Sequence, residues 1–318
     1  MLPSRSSPNL MRVLFIGTGD IGLPSLRWLI NTPKHQVVAV VTQPDKPVGR
    51  KLILTPPATK TLALKHSIPV LQPLKIRNAL DELRPLQADI AIVVAYGQIL
   101  SRAVLDIPRL GCLNIHASIL PRHRGAAPIQ AAIRDGDPES GVTIMYMDEG
   151  LDTGDILHIT RTPLTESDTG ASLHDRLADL APAALEHALD LLAAGTAPRT
   201  PQDNTHATHI GKLTRTHGRI DWTQPATHIS RTIRAYNPWP GTHTHLASTH
   251  LKIFSAVPHP EITSCPLPGT VLDNQEKLLI ACGIGALELT EVQLEGSKRL
   301  PTPTFLHGHP LPPGTLLT

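Results

Sequence analysis

Asn114 and His116 stand two residues apart in the run GCLNIH, Gly111–His116. In a strand this spacing sends both side chains to one face and Ile115 to the other. Asn is depleted in strands, and open α/β sheets bind ligands outside the carboxyl ends of their strands. Two polar groups on one face near such an end therefore mark a site. A second acid-bearing run, MDEGLDTGD at Met147–Asp155, sets Asp152 between glycines in a loop after another strand-like segment. Read as a calcium loop starting at Asp148, it would need an acid at its twelfth position, which is Ile159. A carboxylate that reached His116 would instead hold the imidazole's tautomer and support its protonated form. Asn, His and Asp together suit attack of an amine on a carbonyl. The amide and the imidazolium donate to the oxyanion, and the His–Asp pair manages the amine's proton. No covalent nucleophile is needed. Cys112, Cys265 and Cys282 lack a local His partner and Ser118 lacks the G-x-S-x-G elbow, so neither a cysteine nor a serine hydrolase finds support.

Two other motifs invite chemistry. Gly17, Gly19 and Gly22 spell G-x-G-x-x-G directly after the first strand-like run, the dinucleotide fingerprint in its usual setting. The acid that should hold the ribose hydroxyls is displaced, because the second strand ends Val41-Thr42-Gln43-Pro44 before Asp45. A tight turn with close helix packing is the preferred reading over NAD binding, and a dehydrogenase is the rival of another class. His243, His245 and His250 cluster in THTHLASTH. With no Cys or acidic ligand at zinc-like spacing they read as strand-borne surface histidines, and no metal is assigned.

The elements that must position these residues alternate. RVLFIG is followed by a helix over Pro24–Ile30, QVVAVVT by a helix over Ala58–His66, and then by the apolar run ADIAIVVA at Ala88–Ala95. GCLNIH, GVTIMYM at Gly141–Met147 and a long helix over Ala171–Ala194, stopped at Gly195, complete the half. This pattern predicts an α/β, Rossmann-like, mostly parallel sheet with helices on both faces over 11–195. Residues 196–212, rich in Thr, Pro and Asn and without periodicity, read as a linker. Short strand-like pieces beyond them predict a smaller OB-like β-barrel domain over 213–318.

The chain's 318 residues suit two domains, and a hydrophobic fraction of 41% with 18% charged residues fits a globular protein. No apolar run approaches the roughly 18 residues of a membrane span, so no membrane partner is expected. Three unpatterned cysteines fit a reducing compartment. The opening MLPSRSSPNL lacks a secretory apolar core and reads as a disordered extension. A formal net charge of +2 permits a nucleic-acid partner without demanding one.

Several of these runs carry a resemblance. Asn114-x-His116, then Ser118-Ile119-Leu120-Pro121-Arg122-His123-Arg124-Gly125-Ala126-Ala127-Pro128-Ile129-Gln130, and Gly150-Leu151-Asp152-Thr153-Gly154-Asp155 resemble the site motifs of the folate-dependent formyltransferases. The likeness continues in Ala95–Leu100, in Arg219–Trp222 and in Arg234–Gly241, and so reaches both domains. It implies a catalytic trio of Asn114, His116 and Asp152, and 10-formyltetrahydrofolate as formyl donor, held partly by Ser118, Ile119, Leu120 and Pro121. The stretch Thr42–Arg50 looks like the loop by which the tRNA-acting members enter an acceptor stem. This implies initiator methionyl-tRNA as acceptor, Lys46, Arg50 and Lys51 as tRNA-binding residues, and a tRNA-binding role for the second domain. A bacterial-type cytoplasmic monomer is expected, with no metal and no NAD. Three positions depart from the family pattern. The first turn reads Gly17-Thr18-Gly19 where G-T-P is usual, His123 replaces an aromatic, and only Lys51 follows Arg50 before Leu52-Ile53-Leu54. From Ile210 onward nine Lys and Arg face seven acids, so tRNA docking there must rely on a local patch.

Overall fold

The computed structural model describes residues 10–49, 51–263, 266–273 and 277–318. Chain contacts divide it into two compact units. Among the described residues, the first comprises those of 10–124, 141–162 and 174–209, the second those of 125–140, 163–173 and 210–318.

A seven-stranded sheet organises the first unit. Its strands are β1 (Met11–Gly17), β2 (His35–Val41), β5 (Val70–Leu71), β6 (Ile90–Val94), β7 (Cys112–His116), β9 (Glu139–Tyr146) and β10 (Ile156–Pro163), in the order β10-β9-β7-β6-β1-β2-β5. Pairings from β5 through β7 are parallel, and β9 joins β7 antiparallel. The chain leaves β1 on one side, returns through β6 on the other, and so reverses strand order beside β1. Ligand sites of open sheets sit at such reversals, at the carboxyl ends. Every residue of β6 is buried, as the unbroken apolar run requires of a strand covered on both faces. The remaining short strands of this region are β3 (Lys46–Val48) with β4 (Ile53–Thr55), and β8 (Arg124–Gly125) with β11 (His209–Ile210).

Helices follow the expected punctuation. Among them α1 (Leu23–Asn31) carries Pro24 in its first turn, and α2 (Ala58–Lys65) follows Pro57. Two single turns, α3 (Leu80–Leu83) and α4 (Arg102–Leu105), precede β6 and β7. The short α5 (Pro128–Asp135) ends at Gly136, and α6 (Gly170–Ala193) runs for 24 residues before Gly195 at φ +69°. Along α6 Leu173, Leu177, Ala181, Leu185 and Leu189 recur every fourth position and are buried, the stripe that fixes which face packs inward.

The stretch expected as a linker, 196–212, is in fact bonded into the first unit as far as residue 209. Thr200 exchanges two backbone hydrogen bonds with Ile156, at 2.8 and 3.0 Å, and the Arg124 amide donates to the Thr208 carbonyl at 2.9 Å. Its lack of periodicity reflects pairing through isolated bridges and side-chain amides, which need no repeating pattern.

In the second unit β12 (Thr242–Leu246), β13 (Thr249–His259), β14 (Val271–Asp273), β15 (Leu278–Ala281) and β16 (Ala286–Leu294) form an antiparallel sheet ordered β12-β13-β16-β15-β14, and β17 (Leu300–Pro301) pairs with β16. Residues 314–318 draw the two outer strands together. Val271 donates to Thr315, Leu317 donates to Gly269, and His245 and Thr318 exchange backbone bonds at 2.7 and 3.0 Å. The sheet thereby curls around Trp222, Leu251, Ile280, Leu289 and Phe305, with α7 (Ala226–Ala235) and α8 (Thr302–Gly308) packed over the core.

One buried group of the first unit predicts a pH dependence. His35 at the start of β2 is 8% exposed, lies 5.8 Å from the Trp28 ring, and has no hydrogen-bond partner on either ring nitrogen among the described residues. Burial, joined by the nearby Lys34 charge, pushes its pKa below the ordinary imidazole value of 6.5. The unfolded chain therefore binds this proton more readily, so the group is harmless above pH 6.5 and costs stability as pH falls below it. In thermal melts from pH 7.5 to 5, His35→Leu is expected to lose less stability than the parent chain; parallel losses would show that His35 stays uncharged throughout.

Candidate active site

The first turn explains its own glycines. A Cβ on Gly17 would stand 2.8 Å from the Val94 carbonyl oxygen and from the Phe15 ring, and one on Gly22 would stand 3.2 Å from Phe15 and Val94. The Gly19 amide donates to the Ala95 carbonyl. Their spacing thus serves close packing of β1, β6 and the turn. Asp45, the displaced acid, receives the Lys60 ammonium at 2.9 Å and the Gln72 amide at 2.8 Å, hydrogen bonds that hold its carboxyl below the usual carboxylate range.

Asn114 and His116 leave the same face of β7, opposite Met145 and Thr143 of β9. The loop after β9 brings Asp152 to them. The Asn114 amide donates to Asp152 Oδ1 at 3.2 Å, and His116 Nδ1 faces Asp152 Oδ2 at 3.7 Å, with the imidazole 6% and the carboxylate 13% exposed. His116 Nε2 lies 3.0 Å from the His123 carbonyl oxygen. A carbonyl only accepts, so Nε2 carries a hydrogen, and Nδ1 is the nitrogen left facing the carboxylate. The imidazole is thus held from both sides, by a backbone oxygen at Nε2 and by the Asp152 carboxylate at Nδ1.

Residues 118–123 supply that oxygen. The Thr143 hydroxyl donates to the Ser118 carbonyl at 2.6 Å, the Leu120 amide donates to the Thr143 hydroxyl at 3.2 Å, and the Ser118 hydroxyl donates to the Arg122 carbonyl at 2.7 Å. Of the four residues assigned to the donor, Ser118 and Leu120 are buried and bonded inward, while Ile119 and Pro121 are half-buried. His123 adopts φ +58°, and its amide donates to the Thr208 hydroxyl at 2.8 Å.

The 148–155 loop is equally constrained. Asp152 itself sits at φ +54°, a conformation non-glycine residues rarely adopt. A Cβ on Gly154 would stand 1.8 Å from the Tyr146 carbonyl oxygen. Asp148 accepts from the Gly150 amide at 3.0 Å and from the Thr153 hydroxyl at 2.8 Å. The most telling clamp comes from a residue that sequence reasoning passed over. The Gln202 side-chain amide donates to the carbonyls of Asp152 at 2.9 Å and Gly154 at 2.7 Å, and its oxygen accepts from Arg124 at 2.8 and 3.0 Å. Arg124 is 3% exposed and also donates to Asn204. Arg199 reinforces the loop from outside, its guanidinium 3.7 Å over the Tyr146 ring and 3.9 Å from Asp155.

The expected nucleic-acid loop is a β-hairpin. Lys46–Val48 pairs with Ile53–Thr55 around a turn in which the Leu52 amide donates to the Gly49 carbonyl. Lys46 and Lys51 are exposed, and Arg50 lies outside the described residues. Val48, Leu52, Ile53 and Leu54 are 56–71% exposed, so the tip offers apolar as well as basic surface. His243, His245 and His250 lie on β12 and β13 of the second unit, and no group of three metal-ligating side chains is assembled among the described residues.

Gln202 generates a prediction. Gln202→Leu keeps the side chain's bulk and removes both donors, freeing a strained Asp152. A displacement of about 1 Å at a reacting group costs about 10²-fold in rate, so turnover should fall by that order, with KM for the acceptor little changed. Undiminished turnover would show that the glycines and Asp148 hold the loop alone.

Residues 11–189 match the model of the formyl transferase family, and residues 212–310 match its C-terminal domain. The chain is 50% identical over 294 residues to a methionyl-tRNA formyltransferase of Pseudomonas paraeruginosa, covering 91% of this chain and 93% of that protein. It is 45% identical over 310 residues to that of Geobacter sulfurreducens, covering 96% of each. In fold it is similar to a Helicobacter canadensis N-formyltransferase solved with folinic acid and dTDP-3-aminofucose, with a TM-score of 0.65 at 17% identity over 92% of this chain and all of that one. HypX from Aquifex aeolicus, solved with tetrahydrofolic acid, gives a TM-score of 0.61 at 20% identity over 94% of this chain and 47% of that one. By two matching domains and by identity along nearly its whole length, this chain belongs to the methionyl-tRNA formyltransferase family.

Proposed function

We propose that this chain transfers the formyl group of 10-formyltetrahydrofolate to the free amino group of initiator methionyl-tRNA. The observation that carries the reading is the trio at the carboxyl end of β7, with one carboxylate between the Asn114 amide and the His116 imidazole. The acceptor amine attacks the formyl carbon and a tetrahedral intermediate forms. Asn114 Nδ2 has two hydrogens; one is held by Asp152 and the second donates to the developing oxyanion. The His116–Asp152 pair, Nδ1 facing Oδ2 at 3.7 Å, takes the proton that the amine nitrogen loses. The same proton then passes to the folate nitrogen as the carbon–nitrogen bond to the carrier breaks, which returns the pair to its starting form. The geometry also supports Ile119 and Pro121 as the part of the 118–121 run that meets the carrier, since their neighbours turn inward. Residues 213–318 form, in this reading, the tRNA-binding domain, and Lys46, Arg50 and Lys51 contact tRNA from the hairpin.

Two tests follow from this reading. Asn114→Ala, His116→Ala and Asp152→Ala should each remain folded by circular dichroism and lose at least about 10²-fold in turnover, the usual effect of losing one oxyanion donor. Near-normal turnover in any folded variant removes that residue from the trio. For the hairpin, tRNA affinity measured against salt should show a slope reduced by about one unit in Arg50→Ala, one phosphate contact fewer. Equal slopes in both proteins would place Arg50 off the tRNA.

A further inference from the structure

The three histidines of the second unit converge. Their register puts His245 directly across from His250 and His243 across from Lys252, all on the outward face, while Thr242, Thr244, Leu251 and Ile253 turn into the barrel. The rings of His243 and His250 stack at 4.4 Å between centroids, and His245 meets His250 at 5.5 Å and His243 at 6.2 Å, both edge-on. Exposed Arg219 bridges to His243 through the backbone, and exposed Lys252 flanks the same ring on β13. Edge contacts and stacking between imidazoles are compatible with neutral rings, and around His243 and His250 the charges of His245, Arg219 and Lys252 gather, with Glu295 acting against them on His250.

We propose that Arg219, His243, His245, His250 and Lys252 form a docking surface for a nucleic-acid phosphate backbone, one whose affinity is graded by pH. The proposal rests on the tRNA reading above and names where the weakly charged second unit would meet that partner. An extended, outward-facing row of cationic and imidazole donors, on two strands and on the segment of Arg219 bridged to them, suits a chain of repeating phosphates. Burial, and then the charges of His250, His245, Arg219 and Lys252, push the His243 pKa below its ordinary value. Burial and then His245 push His250 the same way, opposed by Glu295 and seconded by Lys252. A phosphate lodged among the rings supplies the counter-charge they lack. Proton uptake therefore accompanies binding, and binding tightens as pH falls.

The test uses the full chain and uncharged tRNA at fixed ionic strength. The parent chain should bind at least about tenfold more tightly at pH 6 than at pH 8, the linkage of about half a proton per pH unit across that range. The triple variant His243→Gln, His245→Gln, His250→Gln should lose most of that dependence. A triple variant with the parent's pH dependence overturns the proposal. Should the triple variant unfold, Lys252→Gln keeps the test open, because this exposed side chain should lower the salt slope by about one unit; an unchanged slope overturns the surface. The two readings fail separately. A chain that binds tRNA with this pH signature yet transfers no formyl group refutes the acceptor reaction and leaves the surface standing, whereas efficient transfer without pH-graded binding does the reverse.

Discussion

The hydrogen bond from His116 Nε2 to the His123 carbonyl is the contact on which the site depends. An imidazole only 6% exposed meets a backbone oxygen that can only accept, so Nε2 carries a hydrogen there. Nδ1 is then the nitrogen turned toward Asp152. Everything around the trio can be read as support for that one choice. Thr143 braces the 118–121 turn, Thr208 holds His123 in its left-handed conformation, and Gln202 sets the height of the carboxylate.

Much of this was legible in the chain because strands have a period of two. Asn114 and His116 could be put on one face from spacing alone, and glycines on both sides of Asp152 announced a loop that packs against backbone. The parallel sheet followed from the alternation of apolar runs with helical ones. What escaped has a common physical character. The acceptor on His123 is a main-chain oxygen, which every residue possesses, so no residue type advertises it. Gln202 lies 50 residues beyond Asp152 in an aperiodic stretch, and a neutral amide donating to carbonyls leaves no charge or spacing signal. Its neighbourhood of Thr, Pro and Asn looked like a linker because isolated bridges need no pattern. The one available hint was the polar TPQDN run itself, beside an otherwise unexplained buried Arg124 in the site motif.

The glycine fingerprint teaches the converse. Gly17, Gly19 and Gly22 match a dinucleotide motif letter by letter, yet Phe15 and Val94 beside Gly17 and Gly22, and Ala95 beside Gly19, account for the small residues through packing. The acid that would complete the motif is committed to Lys60 and Gln72 at the base of the hairpin. Spacing reports that backbone and side chains come close; the neighbours decide what comes close to what. In the second unit the same holds for the histidines, whose spacing alone suggested nothing beyond strand surface. Cross-strand register is what makes three of them a single patch.

The bridge from Arg124 through Gln202 to the Asp152 loop also reaches far along the sequence. The sheet, the trio and the long helix α6 are all encoded before residue 194, but the amide that seats the carboxylate is not. The residues around 202–208 follow, and they also bring Thr208, the partner of His123. A chain halted just after α6 would possess its three reactive side chains without those that aim them: Gln202 on the Asp152 loop, Asn204 on Arg124 and Thr208 on His123.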